Sequence, residues 1–180
     1  MKKMLLHSCC GPCSTHVIDT LSDDYEITVY YYNPNILPDT EYIKRRTEQE
    51  RFIKEYSEKT GKKIDYIEGD YEPDFFLSII KGYEHDKEGG HRCEICIKNR
   101  LEKTCEKAKV SGFDIFCSTL SVSPHKNAAY INEIGKMLSE KYQIEYLISD
   151  FKKKDGYKHS IEMSKEYSLY RQNYCGCGLS

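Results

Sequence analysis

Short apolar runs alternate with helix-length amphipathic segments along this chain, and no other feature restricts its fold as much. Met4 to His7 reads as a strand, and the turn from Ser8 to Ser14 feeds a helix to about Leu21. Tyr25 to Tyr32, rich in β-branched and aromatic residues, reads as a second strand that stops at Asn33-Pro34-Asn35. From about Thr40 to Lys59, Tyr42, Ile43, Arg46, Gln49, Phe52, Ile53 and Tyr56 fall near one helical face, and Gly61 supplies the stop. Lys63 to Glu68 is a third strand, and Pro73 opens a short helix through Ile80. The charged stretch Gly82 to Arg92 reads as a loop that delivers a helix from Cys93 to about Lys109. Strands at Asp114 to Cys117 and Glu145 to Ile148 flank a helix from Lys126 to Lys141, and a last helix spans about Ser160 to Arg171.

Strands separated by helices imply a mainly parallel five-stranded α/β sheet flanked by helices on both faces. With 180 residues, the chain suits a single domain with a C-terminal helical, cysteine-containing tail. Parallel sheets bind ligands beyond the carboxyl ends of their strands. On that edge the turns after the first, second and fourth strands gather Cys9, Cys10 and Cys13, then Asn33 and Asn35, then Ser118 to Lys126.

The cysteines are grouped as Cys9-Cys10-Gly11-Pro12-Cys13, Cys93-Glu94-Ile95-Cys96 and Cys175-Gly176-Cys177. The N-terminal residues lack the apolar run of a signal sequence, and no segment approaches the ~18 apolar residues of a membrane span. A cytoplasmic protein is expected, in which grouped thiols mean metal binding or catalysis rather than crosslinks. Cys93 and Cys96 stand one turn apart at a helix start, where the positive end of the helix favours thiolates. Four thiolates complete a tetrahedral zinc site or an iron–sulfur cubane. Adjacent ligands such as Cys9 and Cys10 diverge in an extended strand, so a turn with Gly11 supplying the freedom is needed to unite them. Cys13 reads as a reserve ligand, a ligand for an extra metal, a nucleophile or a small buried residue. Cys105 and Cys117 read as core. The Cys175-Gly176-Cys177 pair suits electron transfer better than stapling, or else is an idle frayed end. Tyr167, Tyr170, Arg171 and Tyr174 offer it a docking approach.

A formal charge of −2 argues against tight nonspecific nucleic-acid binding but allows a local patch. Lys44-Arg45-Arg46 and Lys152-Lys153-Lys154 with Lys158, His159, Phe151 and Tyr157 are the candidates, and each also reads as solvated surface. His125 is the best proton-donor candidate among the histidines. Asp150 reads as a cap or surface carboxylate before a general acid. The first turn lacks GxxxxGK[ST], which counts against phosphate cradling, and Cys10-Gly11-Pro12-Cys13 taken alone has the form of a thiol-exchange motif.

Read together, Leu5 to Cys13, Tyr31-Tyr32-Asn33-Pro34-Asn35-Ile36, Arg92-Cys93-x-x-Cys96 and Cys175-Gly176-Cys177 closely resemble the QueH family of epoxyqueuosine reductases. The resemblance implies a Rossmann-like (HUP-like) fold and a cytosolic oxidoreductase. Its expected reaction is two-electron deoxygenation of the epoxide of epoxyqueuosine at the tRNA wobble position. It further implies Cys9, Cys10, Cys93 and Cys96 as ligands of a [4Fe-4S] cluster and Cys175 with Cys177 as a redox-active disulfide pair. An additional iron is allowed for, with Cys13 as the residue to test as its ligand, and an electron donor is required. Two other functions stay open. One is a zinc-containing RNA-binding module without redox catalysis; the other is an ATP-dependent tRNA thiolase, which the missing glycine loop disfavours.

Overall fold

The structure, a computed structural model, describes residues 1–179. Strands β1 (Lys2–His7), β2 (Tyr25–Tyr31), β3 (Asp65–Glu68), β4 (Ile115–Ser118) and β5 (Glu145–Tyr146) form one parallel sheet in the order β3-β2-β1-β4-β5. Helices α1 (Gly11–Leu21), α2 (Asp39–Thr60), α3 (Pro73–Ile79), α4 (His91–Val110), α5 (Ala128–Tyr142) and α6 (Gly156–Glu166) surround it.

Alternation along β1 assigns the layers. Met4 and Leu6 join Val17, Ile18, Phe52 and Met163 on one face, whereas Leu5 joins Ile97, Leu101, Phe116 and Leu138 on the other. All these side chains are buried, each stabilising the fold by roughly 1.5–3 kcal/mol. The strand order reverses at β1, which has β2 on one side and β4 on the other. Their carboxyl ends therefore splay helices to opposite faces and open a crevice at residues 7–13 and 118–126.

Element bounds differ from expectation mainly at the C-terminus. The last helix begins at Gly156 and ends at Glu166, so Tyr167 to Gly178 is an irregular strap rather than a helix extension. A Cβ at Gly156 would lie 1.7 Å from the Phe151 oxygen, so only glycine admits this close entry into α6. Gly61 closes α2 at φ 73°, as a helix stop should.

Candidate metal and redox site

Cys10 is the residue capping α1, with extended backbone at φ −168° and ψ 160°, and Cys13 follows within the first helical turn. This N-cap to third-residue spacing brings their side chains to the same end of the helix. The sulfurs of Cys9, Cys10 and Cys13 all lie within 4.8 Å of one another, with Cys9 and Cys10 Sγ 3.9 Å apart. The adjacent thiols thus converge, but not through Gly11, which lies within the helix and lacks a positive φ. The chain bends at Cys9 instead, one residue before the extended Cys10.

A hydrogen-bonded frame fixes it. Ser8 Oγ donates to the Cys10 oxygen and to Gln49 Oε1, Gln49 Nε2 donates to Ser14 Oγ, and Asn33 Nδ2 donates to the Ser8 oxygen. Crowding sets the charges. Thiol donation from Cys10 and Cys13 holds the Cys9 thiol well below its ordinary value, against the effect of burial. Although Cys13 can donate to Cys10, the charge on Cys9 and burial push Cys10 up to about 12. Hydrogen bonding by Cys10 and Cys9, with burial, raises Cys13 as well. One thiolate served by two thiols is the arrangement a soft cation would convert to three thiolates.

Cys93 stands in the first turn of α4, where the Gly89 backbone N–H donates to its Sγ at 3.2 Å. Cys96 lies a turn deeper, and burial pushes it up to about 11, against the expectation that the helix start favours both thiolates. Neither sulfur belongs to the 4.8 Å group formed by the first three. Cys93, Cys96, Cys175 and Cys177 instead border a cavity of about 180 Å³. An adjoining cavity of about 250 Å³ is bordered by Cys9, Cys13, His125, Tyr157, Arg171 and Cys175. Cys175 and Lys126 border both.

The cysteine tail is docked, not frayed. Arg45 Nη1 and Nη2 donate to the Cys175 and Tyr174 oxygens, Tyr174 Oη to the Leu37 oxygen, and Leu37 N to the Gly176 oxygen. Gln172 Nε2 donates to Cys10 Sγ at 3.1 Å, joining the strap to the first thiol group. A Cβ on Gly176 would come within 2.7 Å of Asn35 Nδ2, which explains the Cys-Gly-Cys spelling. All nine cysteines are free thiols. Cys105 and Cys117 are fully buried in the core as expected, their thiols raised to about 12 and about 11 by burial.

Other readings are corrected. Arg45 is 1% exposed and paired with Glu41, so Lys44-Arg45-Arg46 is not a free basic patch. Arg46 pairs with Glu68, and Lys44 lies over the Tyr170 ring. Phe151 is buried and unavailable for base stacking, while Tyr157, Lys153, Lys154 and Lys158 are exposed. His125 is exposed at the rim of the larger cavity. Asp150 accepts from Lys152 N and pairs with its ammonium, a local cap.

Arg100 was not anticipated. It is 1% exposed, donates from Nε to the Cys96 oxygen, and has Cys96, Cys175 and Cys9 as its electrostatic neighbours. Burial opposes its charge, but those sulfurs keep it raised. Its four-residue spacing from Cys96 along α4 was the available signal. Asn35 Oδ1 and Gln172 Oε1, which belong to residues bordering the two cavities, are buried without hydrogen-bond partners. They are polar atoms that a bound group would satisfy.

A family model described as "Epoxyqueuosine reductase QueH" matches residues 4–180. The curated protein of that name from Streptococcus pyogenes serotype M1 is 45% identical over 174 residues, 97% of this chain and 68% of its own length. Its namesake from Staphylococcus epidermidis is 46% identical over 177 residues, 97% and 74% of the two chains. That from Thermotoga maritima is 35% identical over 183 residues, 100% and 91%. Among solved structures, a predicted subunit of tRNA methyltransferase from Methanocaldococcus jannaschii superposes with a TM-score of 0.52 at 15% identity. It covers 91% of this chain and 76% of its own, and bears on the Rossmann-like fold alone.

Proposed function

The chain belongs to the QueH family of epoxyqueuosine reductases, and from that membership we propose a thiolate-bound iron centre and the Cys175/Cys177 dithiol as its working parts. The enzyme is an oxidoreductase that converts epoxyqueuosine in tRNA to queuosine. Opening and removing an epoxide oxygen consumes two electrons and two protons and releases water. The observation that carries the proposal is the position of Cys175. It borders both the cavity shared with Cys93, Cys96 and Cys177 and the one shared with Cys9 and Cys13.

The donor set fits a soft metal: three sulfurs within 4.8 Å, with Cys10 and Cys13 raised by their sulfur neighbours and by burial. We assign Cys9, Cys10, Cys93 and Cys96 as ligands of a [4Fe-4S] cluster, and Cys13 to an additional iron. When bound, such a centre supplies Lewis acidity at the epoxide oxygen and one-electron transfer. The remaining work falls to the chain. Arg100 and Lys126 place two cations among the sulfurs, which lowers the cost of gathering negative charge there. The strap from Tyr167 to Gly178 presents Cys175 and Cys177 as a two-electron store.

The larger cavity is the proposed entry for the modified nucleoside. Tyr157 and Arg171 stand at its border, with the exposed Lys153, Lys154 and Lys158 nearby in sequence to meet anticodon phosphates. Among the described residues no helix is long and apolar enough to cross a membrane. Anaerobically purified protein should be brown, carry acid-labile sulfide and deoxygenate epoxyqueuosine-containing tRNA. Colourless protein with stoichiometric zinc, no sulfide and no turnover would replace this reading with the zinc module.

A further inference from the structure

Cys175 and Cys177 are separated by one residue and border the same cavity, yet they differ in their nearest contacts. Lys126 Nζ lies 2.9 Å from Cys175 Sγ. Cys177 packs instead with Phe76, Ile80 and Cys96 in an apolar group. The lysine is itself held in place: Lys152 Nζ donates to the Lys126 oxygen at 3.0 Å and to the Ser121 oxygen at 2.9 Å. An ammonium that donates to the Cys175 sulfur orients it and stabilises the negative charge that sulfur carries as it reacts, a contact that distinguishes it from Cys177.

We propose that Lys126 is a positioning residue that makes Cys175 the electron-releasing sulfur of the pair and leaves Cys177 to close the disulfide. This rests on the redox role assigned above to the two cysteines. One turnover then balances as follows. The epoxide and the two thiols of Cys175 and Cys177 give the alkene, one water and one Cys175–Cys177 disulfide. The sulfurs lose two electrons, and the two carbon–oxygen bonds of the epoxide receive them. An external dithiol restores the pair by exchange and leaves as its own disulfide.

Site-resolved alkylation of the fully reduced, anaerobic holoenzyme by iodoacetamide at neutral pH tests this, read by peptide mass spectrometry. Cys175 should be modified faster than Cys177. Lys126→Met should slow Cys175 about tenfold while leaving Cys177 unchanged, and Lys126→Arg should restore the rate. A lysine that merely anchors the strap would behave differently, because its loss would speed both thiols together. That result, a faster Cys177 in the unaltered enzyme, or no change at Cys175 in Lys126→Met would each overturn the proposal. Failure of the redox reading is separately visible: a Cys175→Ser, Cys177→Ser enzyme would then retain turnover with a physiological reductant, whatever the order of alkylation.

Discussion

Arg45, in the first third of α2, donates from Nη1 to the backbone oxygen of Cys175 at 2.7 Å, so a buried guanidinium holds the cysteine tail against the body. A second bond reaches the Tyr174 oxygen at 2.9 Å, and Glu41, 12% exposed at its side chain, neutralises the charge. Replacing Arg45 by Met removes both tethers and leaves the Glu41 carboxylate with the Tyr170 hydroxyl but no cation. Breaking such a pair costs about 3–5 kcal/mol when fully buried, and the partly exposed Glu41 lowers that to roughly 2 kcal/mol. The expected result is faster proteolytic cleavage after Tyr167 and at least about a tenfold loss of turnover, with iron content retained.

Apart from Cys175 and Cys177, the cysteines divide by proposed role into three classes, and substitution should separate them. Serine at Cys9, Cys10, Cys93 or Cys96 should abolish iron and labile sulfide together. Serine at Cys13 should lower iron while sparing sulfide, because only the additional iron loses its ligand. Serine at Cys117 should leave both unchanged and cost about 1 kcal/mol in stability, since the buried hydroxyl can use the Leu147 oxygen and Ser149 hydroxyl beside the thiol. Iron and sulfide assays on each anaerobic variant check the pattern.

Buried His7 makes the fold sensitive to acid. Its Nε2–H donates to the Tyr32 oxygen at 3.0 Å, which leaves Nδ1 to accept from the Ser118 hydroxyl at 3.1 Å. Burial, and then the Arg100 cation, push His7 down to about 4. The unfolded chain takes up this proton first, near the ordinary histidine value of about 6.5. The contribution is therefore complete above about pH 6.5, is lost as pH falls toward about 4, and is flat below. Its size is on the order of 3 kcal/mol. Urea midpoints across that window, at matched iron content, should fall more steeply for the unaltered protein than for His7→Gln.

The alternation of strands and helices was readable because apolar period and glycine or proline punctuation agree along most of the chain. Core cysteines were distinguishable too, since Cys105 and Cys117 sit among helix and strand apolars. The last helix was misplaced because Tyr167, Leu169 and Tyr170 continue an apolar pattern although the chain has left helical geometry. Tyr167 and Leu169 are buried by the core from the strap. Arg45 and Arg100 were illegible for a different reason. A charged residue within an amphipathic helix reads as solvent-facing unless its tertiary partners are known, here the strap oxygens and the sulfurs. Long-range convergence of that kind leaves no periodic mark.

The central claim is that the chain stores the two electrons of deoxygenation in Cys175 and Cys177. Fully reduced enzyme should be mixed anaerobically with excess epoxyqueuosine-containing tRNA and no external reductant, then quenched in acid and mapped for disulfides. One Cys175–Cys177 disulfide per queuosine formed is the predicted result; queuosine accumulating while both sulfurs stay free thiols would contradict it.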